Sequence, residues 1–208
     1  MFGITDLSLF IITGLLLNIT PGADMLYILS NTFQKGFKTG IAATLGISTG
    51  CLFHVFLAVV GLSALLQTSI LAFTIVKYVG VVYLVYLGIT MFLKTKTVKE
   101  DTTLLTNESL KKIFLNGVLI NILNPKIALF FITFLPQFID VNSQNQSIGL
   151  LVLGLVFIFF GTLSNIVIAY LSLKISDRFS YTGLFTSILK KVVGTMFITF
   201  GIKLALEP

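Results

Sequence analysis

Long apolar runs constrain this chain more than any other feature of its sequence. Residues 41–66, 70–93, 113–138 and 148–173 could each cross a hydrocarbon layer of about 30 Å as a helix. These runs have almost none of the polar stripe with which a helix of a soluble protein meets water. Only 11% of the residues are charged, against about 25% in an ordinary soluble domain. The sequence therefore predicts an all-α polytopic membrane protein and excludes a soluble domain.

Two further runs, 7–30 and 192–206, bring the predicted transmembrane helices to six. No basic segment precedes the first run, so we expect a retained helix and not a cleaved signal peptide. The last run is short, and it could begin near Gly183 if Lys190 and Lys191 extend their side chains to the surface. We expect one membrane transporter domain over 1–208. It divides into a repeat over about 1–93, a polar loop over 94–112 and a second repeat over about 113–208.

The basic residues predict the orientation. Eleven of the fourteen follow the first, third or fifth run: Lys35, Lys38, Lys94, Lys96, Lys99, Lys111, Lys112, Lys174, Arg178, Lys190 and Lys191. The connections around residue 67 and over 140–146 hold none. Because Lys and Arg concentrate in cytoplasmic loops, we place these eleven in the cytoplasm and both termini on the outer face. Charges distributed over loops in this way do not indicate nucleic-acid binding.

The two halves share a weak pattern of asparagine and proline. Asn18 lies three residues before Pro21, and Asn121 lies four residues before Pro125. Three helices in each half would make the second half enter the membrane from the opposite side, as in the inverted repeats of secondary transporters. The spacings differ by one residue, so a chance likeness stays open. The sequence nevertheless favours two inverted three-helix repeats.

The prolines predict breaks in helices 1 and 4. A proline removes one helical hydrogen bond, and the carbonyl that it frees cannot turn to water inside a bilayer. We therefore interpret Thr20-Pro21-Gly22 and Asn124-Pro125 as breaks that face the protein interior, with a simple kink as the alternative.

Charged side chains stand beside both predicted breaks. Asp24 follows Pro21 by three residues, and Lys126 directly follows Pro125. Charges at this depth usually pair, face water or carry function. The two could pair with each other, or Asp24 could bind an ammonium group while Lys126 binds a carboxylate. His54 and Asn165 are secondary candidates, His54 as a proton carrier or an interior hydrogen-bonding residue and Asn165 as a ligand or a helix-to-helix contact.

Three motifs of soluble chemistry are missing from the sequence. It has no HExxH, no Walker loop and no Cys and His cluster with metal spacing, and Cys51 is its single cysteine. We expect no enzyme activity, no cofactor and no metal site. Without a nucleotide-binding segment, an ion gradient is the simplest source of energy.

Two blocks of the chain resemble a known family. NITPGADMLYILSNTFQKGFKTGIAATLGISTG and GVLINILNPKIALFFITFLPQFID are similar to the two conserved blocks of the LysE/RhtB superfamily of amino-acid exporters, and KYVGVVYLVYLGITMFL fits its third helix. The likeness covers about residues 4–206, and the block from NPK to LPQF is the most specific. The family pattern is commonly Pro-Gly-Pro where this chain has Pro21-Gly22-Ala23.

The resemblance implies efflux of amino acids by exchange with protons, with a likeness to the RhtB branch that handles homoserine, threonine and other small neutral amino acids. It implies as motif residues Pro21, Gly22, Asp24, Asn124, Pro125 and Lys126. The expected location is a bacterial inner membrane. The expected partners are an amino acid, protons and the lipid bilayer, with no nucleic acid and with homo-oligomerisation left open.

Two other functions remain open at the level of sequence. A heavy-metal exporter of the cadmium type is a related alternative, although one Cys, one His and one Asp make a thin ligand set for a soft metal. A membrane assembly subunit without transport activity is the alternative from another class.

Overall fold

The computed structural model describes residues 2–20, 22–62, 70–93, 108–140 and 142–175, and ten residues of the last segment: 191, 194, 195, 197–199, 201, 202, 205 and 206. Its helices are α1 (Leu7–Ile19), α2 (Ala23–Lys35), α3 (Phe37–Leu57), α4 (Ile70–Leu93), α5 (Leu110–Ile122), α6 (Pro125–Leu129) and α7 (Gln146–Ile175). A π-helical turn, Ala58–Leu62, extends α3. Another π turn, Phe130–Phe134, and a 3-10 turn, Leu135–Phe138, extend α6. The protein is an all-α polytopic membrane protein.

The first broken helix consists of α1 and α2, which meet at an angle of 56°. Each half has 13 residues and is therefore about 20 Å long at 1.5 Å per residue. Together the halves are long enough to cross a hydrocarbon core of about 30 Å. The predicted break is present between Ile19 and Ala23, while Pro21 itself lies outside the described residues.

The second broken helix runs from α5 into α6 and its extensions, with an angle of 47°. Asn124 begins α6: its side-chain oxygen accepts the backbone N–H of Lys126 at 3.0 Å, and Pro125 occupies the first turn. Proline suits that position because the N–H that it lacks would have no helical partner there. This break, too, is present where the sequence predicts it.

Glycines let α3 and α5 touch at the level of the backbone. A Cβ added at Gly50 would lie 2.6 Å from the Val118 carbonyl oxygen, and one added at Gly117 would lie 2.9 Å from the Ala43 carbonyl oxygen. Small residues at a contact between membrane helices allow this approach, since packing and not water expulsion drives their association. The two helices therefore form a closely packed wall beside the breaks.

The long helix α7 packs against α1 and α3. Gly14 of α1 faces Phe157, and the hydroxyl groups of Ser48 and Thr162 are 2.6 Å apart. Phe157 belongs to a buried core that also contains Phe197 of the last segment.

Some predicted helix ends need correction. The second helix begins at Phe37 and not at residue 41, and the fifth spans Gln146–Ile175 and not 148–173. Helix α5 begins at Leu110, so the last residues of the predicted loop 94–112 are helical. Its start is set by Ser109, whose hydroxyl accepts the N–H of Lys112. Residues 94–107 and six of the fifteen residues of the predicted sixth helix, 192–206, lie outside the described residues.

Candidate functional site

The carbonyl groups at the end of α1 are bound by the ammonium of Lys126. Leu17 stands four residues before Pro21, and proline has no N–H to donate to the Leu17 carbonyl. Among the described residues of the helix, that carbonyl oxygen accepts only the N–H of Thr20, at 3.2 Å. Lys126 Nζ donates to the Leu17 and Thr20 oxygens, both at 3.2 Å. A cation is favourable at a helix C-terminus, where the peptide dipoles leave partial negative charge. Lys126 therefore stabilises the first break from the second broken helix.

The second break is completed in the same way by His54 of α3. Asn121 stands four residues before Pro125, and its backbone oxygen accepts the N–H of Asn124 at 3.0 Å. His54 Nε2 lies 3.0 Å from the same oxygen and must carry the proton, since a carbonyl only accepts. The imidazole is 4% exposed and stacks on the ring of Phe131. In each break, therefore, an ionisable side chain from another segment binds the carbonyl that proline frees.

Asp24 joins the two broken helices through Asn121. The Asn121 side-chain amide donates to Asp24 Oδ2 at 3.1 Å, and both residues are buried. Among the contacts of the described residues there is no ion pair between Asp24 and Lys126. The direct pair, one of two arrangements that the sequence left open, is therefore absent among the described contacts of this conformation, in which each charge has a polar partner of its own.

Three polar atoms around the breaks have no hydrogen-bond partner within the described part of the chain. They are Asp24 Oδ1, Asn121 Oδ1 and Asn124 Nδ2. A buried polar group left without a partner costs about 1–3 kcal/mol, so such atoms are uncommon in native structures. Two acceptors and one donor therefore lack a hydrogen-bond partner at the point where the two breaks meet.

The two half-helices that leave the breaks begin differently. Asn124 caps α6 with its own side chain, whereas among the described residues no side chain caps α2, whose N-cap residue is Gly22. The first N–H groups of α2 and the positive end of its dipole are thus open to an anion. A Cβ added at Gly22 would lie 3.1 Å from Lys126 Nζ. The uncapped helix end and the ammonium group therefore stand side by side, and a glycine there leaves room for the lysine.

Comparison with known proteins identifies the chain. The profile of the LysE type translocator family matches residues 15–208. The uncharacterized membrane protein YrhP of Bacillus subtilis is 32% identical over 198 residues, which cover 91% of this chain and 93% of YrhP. A leucine efflux protein of Salmonella choleraesuis is 30% identical over 98% of this chain and 96% of its own length. A leucine efflux protein of Klebsiella pneumoniae is 27% identical over the same shares. No solved structure matches.

The chain belongs to the LysE family of translocators. It is therefore a multi-pass membrane protein whose partners are a small-molecule substrate and the lipid bilayer. The network around the two breaks brings ionisable side chains of this LysE-family chain together with buried polar groups.

Most predicted site residues of the translocator are brought together at the breaks. Thr20, Gly22, Asp24, Asn121, Asn124 and Lys126 lie within the network, and His54 joins it through Asn121. Asn18 instead donates to the Gly14 carbonyl and packs against Gly161 of α7. Asn165 is buried in α7 and shares no hydrogen bond with the network among the described residues.

A polar face of α2 was missed at the sequence level. Tyr27 and Asn31 follow Asp24 by three and seven residues, which places all three on one side of the helix. This spacing was readable from the sequence. The sequence could not show the partner of Tyr27. In the structure the Tyr27 hydroxyl donates to the Ile113 carbonyl of α5 at 2.8 Å.

Charged residues stand where α2 ends and α5 begins. Lys112 Nζ lies 2.7 Å from Glu108 Oε1, and its hydrogen bond holds the pKa of the Glu108 carboxyl below the ordinary value of 4.5. The charges of Lys112 and Lys35 act in the same direction. In the described part of the translocator, no three His, Cys, Asp or Glu side chains come together as the ligands of a metal ion would.

Proposed function

We propose that this translocator exports a neutral amino acid across the bacterial inner membrane in exchange for protons, and that the zwitterion binds between the two broken helices. One observation supports this most directly. The Lys126 ammonium lies beside the uncapped N-terminus of α2. The first turn of the same helix carries the buried carboxylate of Asp24, whose Oδ1 has no hydrogen-bond partner among the described residues. These are the complements of the two charged groups that all amino acids share.

The substrate carboxylate is assigned to Lys126 and the start of α2. The ammonium already stands against Gly22, and the first N–H groups of α2 add donors and partial positive charge. Broken helices of secondary transporters commonly direct such N-termini at anionic groups of the substrate.

The substrate ammonium is assigned to Asp24 and Asn121, whose Oδ1 atoms are both buried and unpartnered. Asp24 would also carry the exchanged proton. A protonated carboxyl cannot hold the ammonium group as an ion pair, so proton binding and substrate binding at Asp24 oppose each other. That opposition is what an antiporter requires.

The residues beside the breaks favour an aliphatic substrate side chain. Leu17, Ile127 and Phe131 are each at most 2% exposed and supply an apolar lining with no opposite charge. The relatives named leucine efflux proteins agree with this class, and leucine is the substrate that we would test first. The relatives named efflux proteins support export as the direction, and the orientation proposed from the basic residues places the end near Lys35 and Lys112 in the cytoplasm.

Counterflow of labelled leucine in proteoliposomes tests the proposal. We expect Asp24→Asn and Lys126→Gln each to lower the initial rate by roughly tenfold to a hundredfold, since hydrogen bonds to charged groups contribute about 1.5–3 kcal/mol. Asp6→Asn and Lys111→Gln are the matched controls, with the same chemistry away from the breaks and outside the polar residues between α2 and α5, and should transport normally. Wild-type rates in both site variants would overturn the assignment and favour a membrane subunit without transport activity.

A further inference from the structure

A seam lined with polar side chains runs from Asp24 to the end of the molecule that carries Lys35 and Lys112. One half of the seam is a single face of α2. The other half consists of residues just before α5 and along α5, which faces α2. Its members are Asp24, Tyr27, Asn31 and Lys35 on α2 and Glu108, Lys112, Asn116 and Asn121 on the α5 side. We call this set the polar seam.

Few direct contacts hold the polar seam together. At its deep end the Asn121 amide donates to Asp24, and one turn along α2 the Tyr27 hydroxyl donates to the Ile113 carbonyl. The side chains of Asn31 and Asn116 lie beside that hydroxyl. Glu108 and its partner Lys112 stand at the outer end.

Part of the polar seam is buried without compensation. Asn31 is 2% exposed, and its amide donates to the Tyr27 carbonyl while its Oδ1 has no partner among the described residues. Helices that only need to pack in a membrane do so with small residues, as α3 and α5 do at Gly46, Gly50 and Gly117. Ionisable side chains within membrane helices usually face the interior of the bundle or a water-filled cavity. The polar seam therefore fits a passage that opens to water better than a permanent packing surface.

We propose that the polar seam is the access path between Asp24 and the lysine-bearing face, and that the hydrogen bond from Tyr27 to Ile113 is the latch that closes it in this conformation. The inference rests on the proposed function in taking Asp24 as the end of the path. Tyr27 lies between Asp24 and Asn31 on the same helix face, so its movement would join the two through water. The latch is one neutral hydrogen bond, which water can replace at small cost.

Cysteine accessibility of the full chain in membrane vesicles tests the path. The background carries Cys51→Ala, which removes the single native cysteine, itself buried. Asn31→Cys reports on the polar seam, and Lys38→Cys identifies the lysine-bearing face. Leu26→Cys is the matched control, because it stands on the same helix with its side chain 40% exposed on the apolar outer surface. The probe is a charged, membrane-impermeant methanethiosulfonate.

We expect Asn31→Cys to react from the face that also labels Lys38→Cys, and Leu26→Cys to stay unreactive. Adding Tyr27→Phe keeps the ring and removes the latch. The reaction rate of Asn31→Cys should then rise about fivefold, the change that one ordinary net hydrogen bond supplies. Labelling of Asn31→Cys only from the opposite face, or none in either background, would overturn the path. An unchanged rate with Tyr27→Phe would overturn the latch, and equal labelling of Leu26→Cys would show an exposed helix and not a path.

The labelling needs no substrate, so its failure is separate from a failure of transport. If Asp24→Asn abolishes leucine counterflow but Asn31→Cys never reacts, the binding site stands and the access path is wrong. If Asn31→Cys reacts as expected but leucine counterflow is insensitive to Asp24→Asn, the path exists and the assigned site is wrong.

Discussion

The same two broken helices end in aromatic packing on one side of the breaks and in the polar seam on the other. On the aromatic side, the start of α1 meets the extensions of α6. Phe10 is fully buried, with its ring centre 5.2 Å from that of Phe138 and 6.1 Å from that of Phe130. On the polar side, α2 and α5 meet through Tyr27 and Asp24.

Backbone hydrogen bonds strengthen the aromatic side. Ile4 and Ile139 form an isolated antiparallel bridge. The N–H of Thr5 donates to the Phe138 carbonyl at 2.9 Å, and the N–H of Asp140 donates to the Gly3 carbonyl at 2.8 Å. The segment before α1 is thus hydrogen-bonded directly to the end of the second broken helix.

The difference shows which side of the breaks is easier to open. Separating the aromatic side would remove ring contacts that water cannot replace and would break a backbone bridge. Separating the polar side would replace hydrogen bonds between α2 and α5 with hydrogen bonds to water. It would also give the unpartnered Oδ1 of Asn31 a water donor. This conformation is therefore sealed by rings and a backbone bridge on the aromatic side, whereas on the other side polar contacts lie beside a smaller apolar cluster around Ile28 and Ile113.

The largest effect is expected from removing the central ring of the aromatic side. Phe10→Ala should destabilise the protein by about 3–5 kcal/mol, the usual cost of such a truncation in a core. The matched change in the polar seam, Asn31→Leu, keeps a similar volume and should be nearly neutral or stabilising, since it removes an unpartnered oxygen. Thermal unfolding in detergent, followed by size-exclusion chromatography, compares the two. Equal destabilisation would contradict the contrast between the two sides.

A smaller effect is expected where α3 and α5 form the wall common to both sides. Gly50→Ala would place a Cβ 2.6 Å from the Val118 oxygen and 2.9 Å from the Asn121 Cβ, and should cost about 1–3 kcal/mol as overpacking does. It should also lower leucine counterflow, because Asn121 holds Asp24. At Gly61 no described atom lies within 4 Å of an added Cβ, so Gly61→Ala is the control and should behave as wild type. Normal stability of Gly50→Ala would mean that α3 and α5 can move apart enough to accommodate the added methyl group.

The smallest effect is expected at the outer end of the polar seam. The hydrogen bond from Lys112 lowers the pKa of Glu108 in the folded protein, so the pair stabilises the fold above pH 4.5. That contribution disappears as the pH falls through the lowered pKa. Titration of the Glu108 carboxyl by carbon-13 NMR should give a pKa below 4.5 in wild type and a higher one in Lys112→Gln. The same value in both proteins would remove Lys112 as the cause.

Sequence reasoning located both breaks because proline acts on its own helix. Pro21 and Pro125 lack an N–H wherever the chain folds, so a disturbed helix at each was predictable without knowing any neighbour. Asp24 and Lys126 were predictable as site residues for a similar reason, since a charge inside an apolar run needs a partner. The number of spans and the orientation remain predictions, because they depend on residues 94–107 and 176–190, which lie outside the described residues.

The identity of each partner was not predictable from sequence. The sequence left open whether Asp24 and Lys126 pair, and in the structure Asp24 binds Asn121 while Lys126 binds the carbonyls of Leu17 and Thr20. An interior hydrogen bond was one of the two expectations for His54, but its partner, the carbonyl that Pro125 frees, was not predictable. Hydrogen bonds require approach within about 3 Å, and sequence spacing says nothing about distances between different helices.

The sequence by itself determined that this chain lies in a membrane, belongs to its family and breaks two helices at prolines, because hydropathy and a missing N–H are local properties of the residues. Only the tertiary structure decided which side chains complete those breaks, and that one side is closed by aromatic rings and the other by polar groups. The reason is that a freed carbonyl inside a bilayer must find a donor, but which donor reaches it depends on how the helices pack.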